Sequence, residues 1–315
     1  MFELSNKRIL VLGHRGMVGA AIVRRLEREE CAVLTVARAD VDLERQAETE
    51  TMMKVLNPDA VILAAAKVGG IHANQSSPSD FIYKNLVIAT NVLEAAHQAN
   101  VNRVLVLGSS CIYPREATQP MAEGALLEGP LEPTNQWYAI AKIAAIKLAE
   151  AYHLQHGRDY ISAMPTNLYG PGDNFDLQSS HVLPALMRKA HDAREAGSES
   201  MTIWGSGDPL REFMHCDDCA DALVLLLQRY SGRSHVNVGI GKEISIGRVA
   251  QLICETVGFE GEIVCDSKYP DGTPRKLMDS GLLFSLGWRP GIGLSEGLKS
   301  TYDWCLKSGW GASET

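Results

Sequence analysis

The tightest constraint lies near the N-terminus, where Arg8-Ile9-Leu10-Val11-Leu12 runs straight into Gly13-His14-Arg15-Gly16-Met17-Val18-Gly19, with a helical pattern from Met17 to Glu29. A short apolar run with β-branched residues, then glycines, then a 3.6-residue period reads as strand, turn and helix. Glycines spaced three apart at such a turn let the backbone approach a pyrophosphate, whose charge sits on the helix N-terminus. Alone, the triplet fits an ordinary tight turn. Followed by a helix and a second strand, it predicts a dinucleotide-binding unit.

The rhythm continues. Apolar runs recur at Cys31 to Val36, Ala60 to Ala66 and Arg103 to Leu107, with helical stretches such as Asp80 to Gln98 between them. Alternating strands and helices imply an α/β fold, a Rossmann-type doubly wound parallel sheet covered on both faces. Past Pro165 the pattern breaks at Gly170-Pro171-Gly172 and at Gly205-Ser206-Gly207-Asp208-Pro209 into shorter pieces. Residues 1–170 are therefore expected to form the dinucleotide domain, and residues 171–315 mainly a smaller, interleaved C-terminal α/β substrate domain. Segments around 201–240 are expected to return to the first domain, since Met201 to Trp204 and Ser234 to Val238 still read as strands.

Composition narrows the partners. A net charge of -8 over 315 residues argues against a nucleic-acid surface, which needs clustered Lys and Arg. No apolar run reaches membrane-spanning length and no secretory pattern precedes the first strand, so no membrane association and a cytoplasmic location are expected. The seven cysteines are scattered, as reduced thiols would be. Cys216 and Cys219 make a CxxC without a second pair, between acidic neighbours, so no metal site is expected there.

Cofactor choice turns on Arg38. NAD enzymes place an acid at the end of the second strand to hold the ribose hydroxyl, whereas this chain presents an arginine suited to a 2'-phosphate. Arg15, inside the glycine turn, is a second candidate partner, and NADPH is the expected cofactor. Asp40 and Asp42 lie close enough to serve NAD, and a solvated surface arginine is the plain alternative.

Tyr138 and Lys142 stand at i and i+4, on one face of the helix through Ala139 to His156. A free tyrosine titrates near about 10, and a nearby ammonium favours its phenolate, so the pair is expected to lower the tyrosine's pKa. The strand Arg103 to Leu107 ends in Gly108-Ser109-Ser110-Cys111, hydroxyls at the carboxyl edge of a parallel sheet, where such folds bind ligands. Ser109 is expected to bond a substrate oxygen beside Tyr138. A lone YxxxK is usually a solvated helix face; in this order after a glycine turn it signals short-chain dehydrogenase/reductase chemistry.

With these residues the chain resembles the extended branch of that superfamily and, within it, the GDP-L-fucose synthase family. The likeness is carried by the glycine turn, Ala64-Ala65-Ala66-Lys67-Val68-Gly69-Gly70, Gly108-Ser109-Ser110-Cys111-Ile112-Tyr113-Pro114, Tyr138-Ala139-Ile140-Ala141-Lys142, Pro165-Thr166-Asn167-Leu168-Tyr169-Gly170-Pro171 and Pro270-Asp271-Gly272-Thr273-Pro274-Arg275-Lys276. It implies epimerisation of GDP-4-dehydro-6-deoxy-D-mannose at C3 and C5, then reduction of the C4 ketone by NADPH. Protons beside a ketone are acidic because the enolate spreads its charge onto oxygen, and inverting each centre takes one group to remove the proton and another to return it. Cys111 and His181 match the family's two acid/base residues; a cysteine after a strand is otherwise a small hydrophobe, and a lone histidine an ordinary polar group.

The resemblance further implies that His14, Met17, Val18, Leu107, Gly108, Ser110, Pro165, Thr166, Asn167, Leu168 and His181 line the cofactor with the residues above. It also implies that Lys189, Trp204, Arg211 and Asp271 line the GDP-sugar pocket, although Trp204 reads equally as core, Lys189 as a solvated charge and Arg211 as a partner of Glu212 or Asp208. The chain departs from the family pattern at Cys216, usually aliphatic, and at Gln136, commonly glutamate. The family's dimers pair long helices like the two here. Competing readings are a colitose-type relative that epimerises one centre, an NAD-dependent nucleotide-sugar 4-epimerase, and a non-catalytic NADP sensor.

Overall fold

The computed structural model describes residues 1–269 and 271–310. In chain order its first half contains β1 (Arg8–Leu12), α1 (Met17–Leu26), β2 (Ala32–Thr35), α2 (Gln46–Leu56), β3 (Ala60–Leu63), α3 (Ile71–Ser76), α4 (Pro78–Gln98), β4 (Arg103–Leu107), α5 (Gln136–His156) and β5 (Asp159–Pro165). The second half contains β6 (Asn167–Tyr169), α6 (Val182–Glu195), β7 (Ser200–Trp204), β8 (Leu210–Arg211), β9 (Phe213–His215), α7 (Cys216–Arg229) and β10 (Val236–Val238). It ends with β11 (Ile244–Ser245), α8 (Ile246–Val257), β12 (Glu262–Asp266), β13 (Arg275–Lys276), α9 (Gly281–Ser285) and α10 (Leu294–Ser308).

Six strands form one parallel sheet in the order β10-β5-β4-β3-β1-β2. The chain leaves β1 toward β2 and returns to β3 on its other side, so the direction of winding reverses between β1 and β3. That reversal opens a crevice at the carboxyl ends of the strands, where open α/β sheets hold their ligands. Both faces are covered, which is why β3 and β4 are buried along their whole length and, apart from Arg103, apolar. Ile9, Val11, Ile62 and Leu105 pack with α1 and α7 on one face, while Leu10, Val61, Leu63 and Val104 pack with α2, α4 and α5 on the other. The period-two alternation of a strand thus feeds two cores.

The two strands expected to return behave differently. Val236–Val238 joins the six-stranded sheet beside β5, whereas Ser200–Trp204 pairs with Glu262–Asp266, outside it. The reason lies in its burial: Met201 and Ile203 point into a separate core with Leu186, Met187, Val249 and Ile253, and the alternate residues face water, which a strand inside the doubly covered sheet cannot do.

Arg103 opens β4 and is almost fully buried, 2% exposed. Its guanidinium pairs with Asp159 on the neighbouring strand and donates to the carbonyls of Leu226 (2.9 Å) and Tyr230 (2.6 Å) at the end of α7, satisfying carbonyls that a helix terminus leaves open. Arg103→Leu leaves those acceptors and Asp159 without their cation. A loss of about 3 kcal/mol is expected, read as a lower urea midpoint; an unchanged midpoint would show that water replaces the arginine at no cost.

Candidate active site

Gly13 follows β1 at φ +87°, and a Cβ there would meet the Ala65 backbone nitrogen at 2.5 Å. A Cβ on Gly19 would lie 2.0 Å from the Gly13 carbonyl oxygen, so α1 packs directly on its own turn. Gly16 differs: its φ of -73° is ordinary, and a Cβ would meet nothing closer than 3.5 Å. The protein itself therefore does not require glycine at the head of α1. Space is left there, and with Arg15 exposed beside it the turn suits a dinucleotide's pyrophosphate. Met17 and Val18 lie in the first turn of α1, packed against the core, and His14 is half-buried, with a pKa lowered by burial and by Arg15.

Arg38 follows β2 with its side chain 68% exposed, 3.4 Å from Glu44. Asp42, the nearby acid, accepts from the Glu44 backbone N–H at 3.0 Å and lies 3.8 Å from Arg45. Such exposed pairs are weak enough to exchange partners. Arg38 is thus open to an incoming phosphate, while Asp42 is taken up in its own loop.

The carboxyl ends of β4 and β5 bring the next group together. Lys142, buried on α5, donates to the Leu107 carbonyl at 2.8 Å, and its nitrogen lies 5.6 Å from the Tyr138 ring centroid. Tyr138 is half-buried in the first turn of α5, edge-on to Phe81 at 6.3 Å. Gly108 lets the chain pass over Met164, whose sulfur would lie 2.2 Å from a Cβ there. Ser109 caps the short 3-10 turn Ser110–Ile112 by accepting from the Cys111 N–H at 3.4 Å, a long bond that leaves the hydroxyl available to a better partner. Pro165 ends β5; Thr166 donates from its N–H to the Val238 carbonyl and Asn167 from its side-chain amide to Glu212, so this segment, with Leu168, is held by backbone on both sides.

One expectation is corrected. Burial pushes the Tyr138 phenol up, with the Cys111 side chain adding to the shift, rather than Lys142 pulling it down. Removing water from a phenolate costs more than an ammonium above the ring returns. The same burial lowers Lys142 to about 8.

Cys111 lies in the same 3-10 turn, buried, and its thiol pKa is raised by burial against the opposing pull of Lys276, Ser109 and Lys142. His181 heads α6 and stays open to water, though deep among protein atoms; burial and then Lys276 lower its pKa. Lys276 is thus the residue that connects the thiol and the imidazole. Its role is not legible in the motif that contains it, because only pairing of β13 with β8 sets it opposite Arg211. The Met121–Met278 bridge beside it ties the two walls together.

At the outer end of the cleft, Lys189 donates to the Thr202 carbonyl at 3.2 Å, with its nitrogen 4.8 Å from the centroid of Trp204. Trp204 is exposed rather than core. Arg211 bonds the Leu210 carbonyl and feels the charge of Asp271, while Glu212 is engaged by the N–H groups of Ile240 and Gly241 at 2.7 Å. Asp271 accepts from the Ser206 N–H and hydroxyl at 2.9 and 2.8 Å, so its carboxylate first closes a loop. Pro270, from the same motif, lies outside the described residues.

Elsewhere, Cys216 and Cys219 are buried at the start of α7. Potential ligand atoms of His215, Cys216 and Asp217 lie within 4.8 Å of one another, but His215 accepts the Asp217 N–H as a helix cap and Asp217 pairs with Arg24. Among the described residues, no helix is long and apolar enough to cross a membrane.

A glycine-turn dinucleotide cleft walled by a Ser, Tyr and Lys set marks a class, and the chain belongs to the NAD dependent epimerase/dehydratase family, matching it over residues 9–239. Within that class it is similar to GDP-L-fucose synthase 1 of Arabidopsis thaliana, 58% identical over 97% of this chain and 96% of that one. It is also similar to the GDP-L-fucose synthase of Sinorhizobium fredii, 56% identical over 96% of each chain. The solved structure of a GDP-L-fucose synthetase from Naegleria fowleri bound to NADP matches with a TM-score of 0.91 at 28% identity, covering 99% of this chain and 98% of that one. The resemblance read from the sequence motifs therefore holds along nearly the whole chain.

Proposed function

We propose that the protein is a GDP-L-fucose synthase, converting GDP-4-dehydro-6-deoxy-D-mannose to GDP-L-fucose by epimerisation at C3 and C5 and NADPH-dependent reduction at C4. The observation that carries this reading is the placement of Cys111 and His181 around Lys276, beside Tyr138 and Lys142. A 4-epimerase has no need of a second acid/base pair.

Gly13, Gly16 and Gly19, with Arg15 and Arg38, would hold the cofactor's phosphates, and the end of β4, Lys142, His181 and residues 165–168 its nicotinamide side. When bound, NADPH supplies the hydride for C4. The protein's own residues handle protons. Inverting a carbon beside the ketone needs one group that starts with a proton and one that starts without. The resting site supplies both, because Cys111 keeps its thiol proton and the depressed pKa of His181 leaves its imidazole neutral. The ammonium of Lys276 favours a thiolate when Cys111 gives up its proton. In the reduction, Tyr138 must deliver a proton to the C4 oxygen, and its raised pKa keeps it in the acid form that can do so. Ser109 would orient that oxygen, while Lys189, Trp204, Arg211 and Asp271 would receive the GDP portion. Residues 1–170 with the later return segments are proposed as the cofactor domain and the remainder mainly as the sugar domain.

The test is NADPH consumption with this substrate, with the product identified by NMR. GDP-L-fucose is expected; a singly epimerised product would move the assignment to a colitose-type relative, and no consumption would favour the 4-epimerase or the sensor. Lys142 at about 8 adds a pH dependence. Below that value it is an ammonium and above it an amine, so kcat/KM is expected to fall as pH rises through about 8; a flat profile there would remove Lys142's charge from the mechanism.

Arg38 carries the cofactor preference. Charge-assisted bonds to a phosphate are worth about 1.5–3 kcal/mol, so Arg38→Ala should raise KM for NADPH by about 10- to 100-fold and leave KM for NADH nearly unchanged. Equal effects on both would show that Arg38 does not read the 2'-phosphate. A cytoplasmic homodimer completes the proposal, supported by exposed Tyr83 on α4 and Trp137 and Ile140 on α5. Light scattering that returned only the 34.3 kDa monomer would set the dimer aside.

A further inference from the structure

The rim of the cleft holds two large aromatic side chains in water. Trp204 ends β7 and is 57% exposed, and Tyr269 is 43% exposed. Their ring centroids lie 4.4 Å apart with planes only 12° from parallel. Stacking covers part of each ring but leaves the pair largely wet, and a wet aromatic platform is a common form of binding surface.

Its position is defined on both sides. β7 and β12 run parallel with Trp204 opposite Asp266, and the loop that leaves Asp266 carries Tyr269. Two residues beyond Tyr269, Asp271 ties the loop back to Ser206 through two hydrogen bonds. Each end of the loop is thus anchored to the β7 side, which holds the phenol over the indole. Lys189 stands beside the platform, 4.8 Å from the indole centroid, and Arg211 neighbours Asp271. Flat apolar rings flanked by two cations match a nucleoside diphosphate, with the base on the rings and the diphosphate on the cations.

We propose that Tyr269 is a base-recognition residue, forming with Trp204 the platform on which the guanine of the nucleotide sugar stacks and selecting purine over pyrimidine diphosphates. This deepens the preceding reading of the site and rests on it. A purine offers the larger π surface to the outer face of the stack, so the contact rewards guanine more than uracil. Tyr269 takes no part in proton transfer, so the chemical step should not depend on it.

The experiment is titration with GDP, and separately with UDP, followed by tryptophan fluorescence. It uses the full-length wild type, Tyr269→Ala and Tyr269→Phe, with NADPH binding measured on each protein. The Ala variant is expected to bind GDP about tenfold more weakly, with UDP affected less, and the Phe variant to stay within about twofold of wild type, since the ring and not the hydroxyl makes the contact. NADPH affinity should be the same in all three. If Tyr269→Ala binds GDP as wild type does, or loses GDP and UDP equally, the proposal is overturned while the nucleotide-sugar site stands. If wild type binds NADPH but not GDP, the underlying reading falls and the proposal with it.

Discussion

Tyr138→Phe is expected to slow NADPH consumption by about 10²–10⁴-fold, the usual worth of a positioned general acid. The change removes one oxygen from a ring already packed edge-on to Phe81, so folding and cofactor binding should survive. Exchange of solvent deuterium into the sugar at C3 and C5 should continue, because that chemistry belongs to other residues. The variant should therefore build up epimerised but unreduced sugar. Reduction at more than about a tenth of the wild-type rate would mean that another group, with Ser109 the nearest candidate, delivers the proton to the C4 oxygen.

The second large effect is expected from Cys111→Ser. A hydroxyl is nearly the same size, but it is a far weaker acid than a thiol, and the nearby Lys276 cannot make up the difference. Deuterium incorporation at C3 and C5 should fall by at least about 10²-fold. Reduction of the unepimerised ketone should be partly spared, since Tyr138 and Lys142 are untouched. NMR of the product separates these outcomes: an unepimerised 4-hydroxy sugar supports the assignment, and unchanged exchange refutes it. Together the two variants divide the reaction, one stopping hydride transfer and the other stopping proton exchange.

Much of this site is legible in the sequence. The strand-turn-helix at Arg8 to Glu29 is local: Gly19 is required by its contact with the Gly13 carbonyl and Gly13 by its positive φ, although the Ala65 backbone that also closes on Gly13 comes from far along the chain. The pairing of Tyr138 with Lys142 follows from helix periodicity alone. Trp204 was harder, because a tryptophan on a short strand suits the core as well as a ligand, and only the pairing of β7 with β12 left it in water. The acidity of Tyr138 is hidden from the sequence for a related reason. Spacing along a helix reports the neighbouring ammonium but not the loss of water around the phenol.

The alternation of strand and helix, the glycine turn, the helical acid/base pair and the basic residue where NAD enzymes carry an acid are all local features of the chain. Each depends on residues within about one turn of helix or one strand of each other. Contacts distant in sequence bring the charge of Lys276 to bear on both Cys111 and His181, set Arg103 on the carbonyls at the end of α7, and stack Tyr269 on Trp204. Those contacts join segments 65 to 165 residues apart, as the positions of Tyr269 and Trp204 and of Lys276 and Cys111 show. No local period encodes them; they exist because burying the apolar faces of separate elements leaves one low-energy way to dock the loops between them.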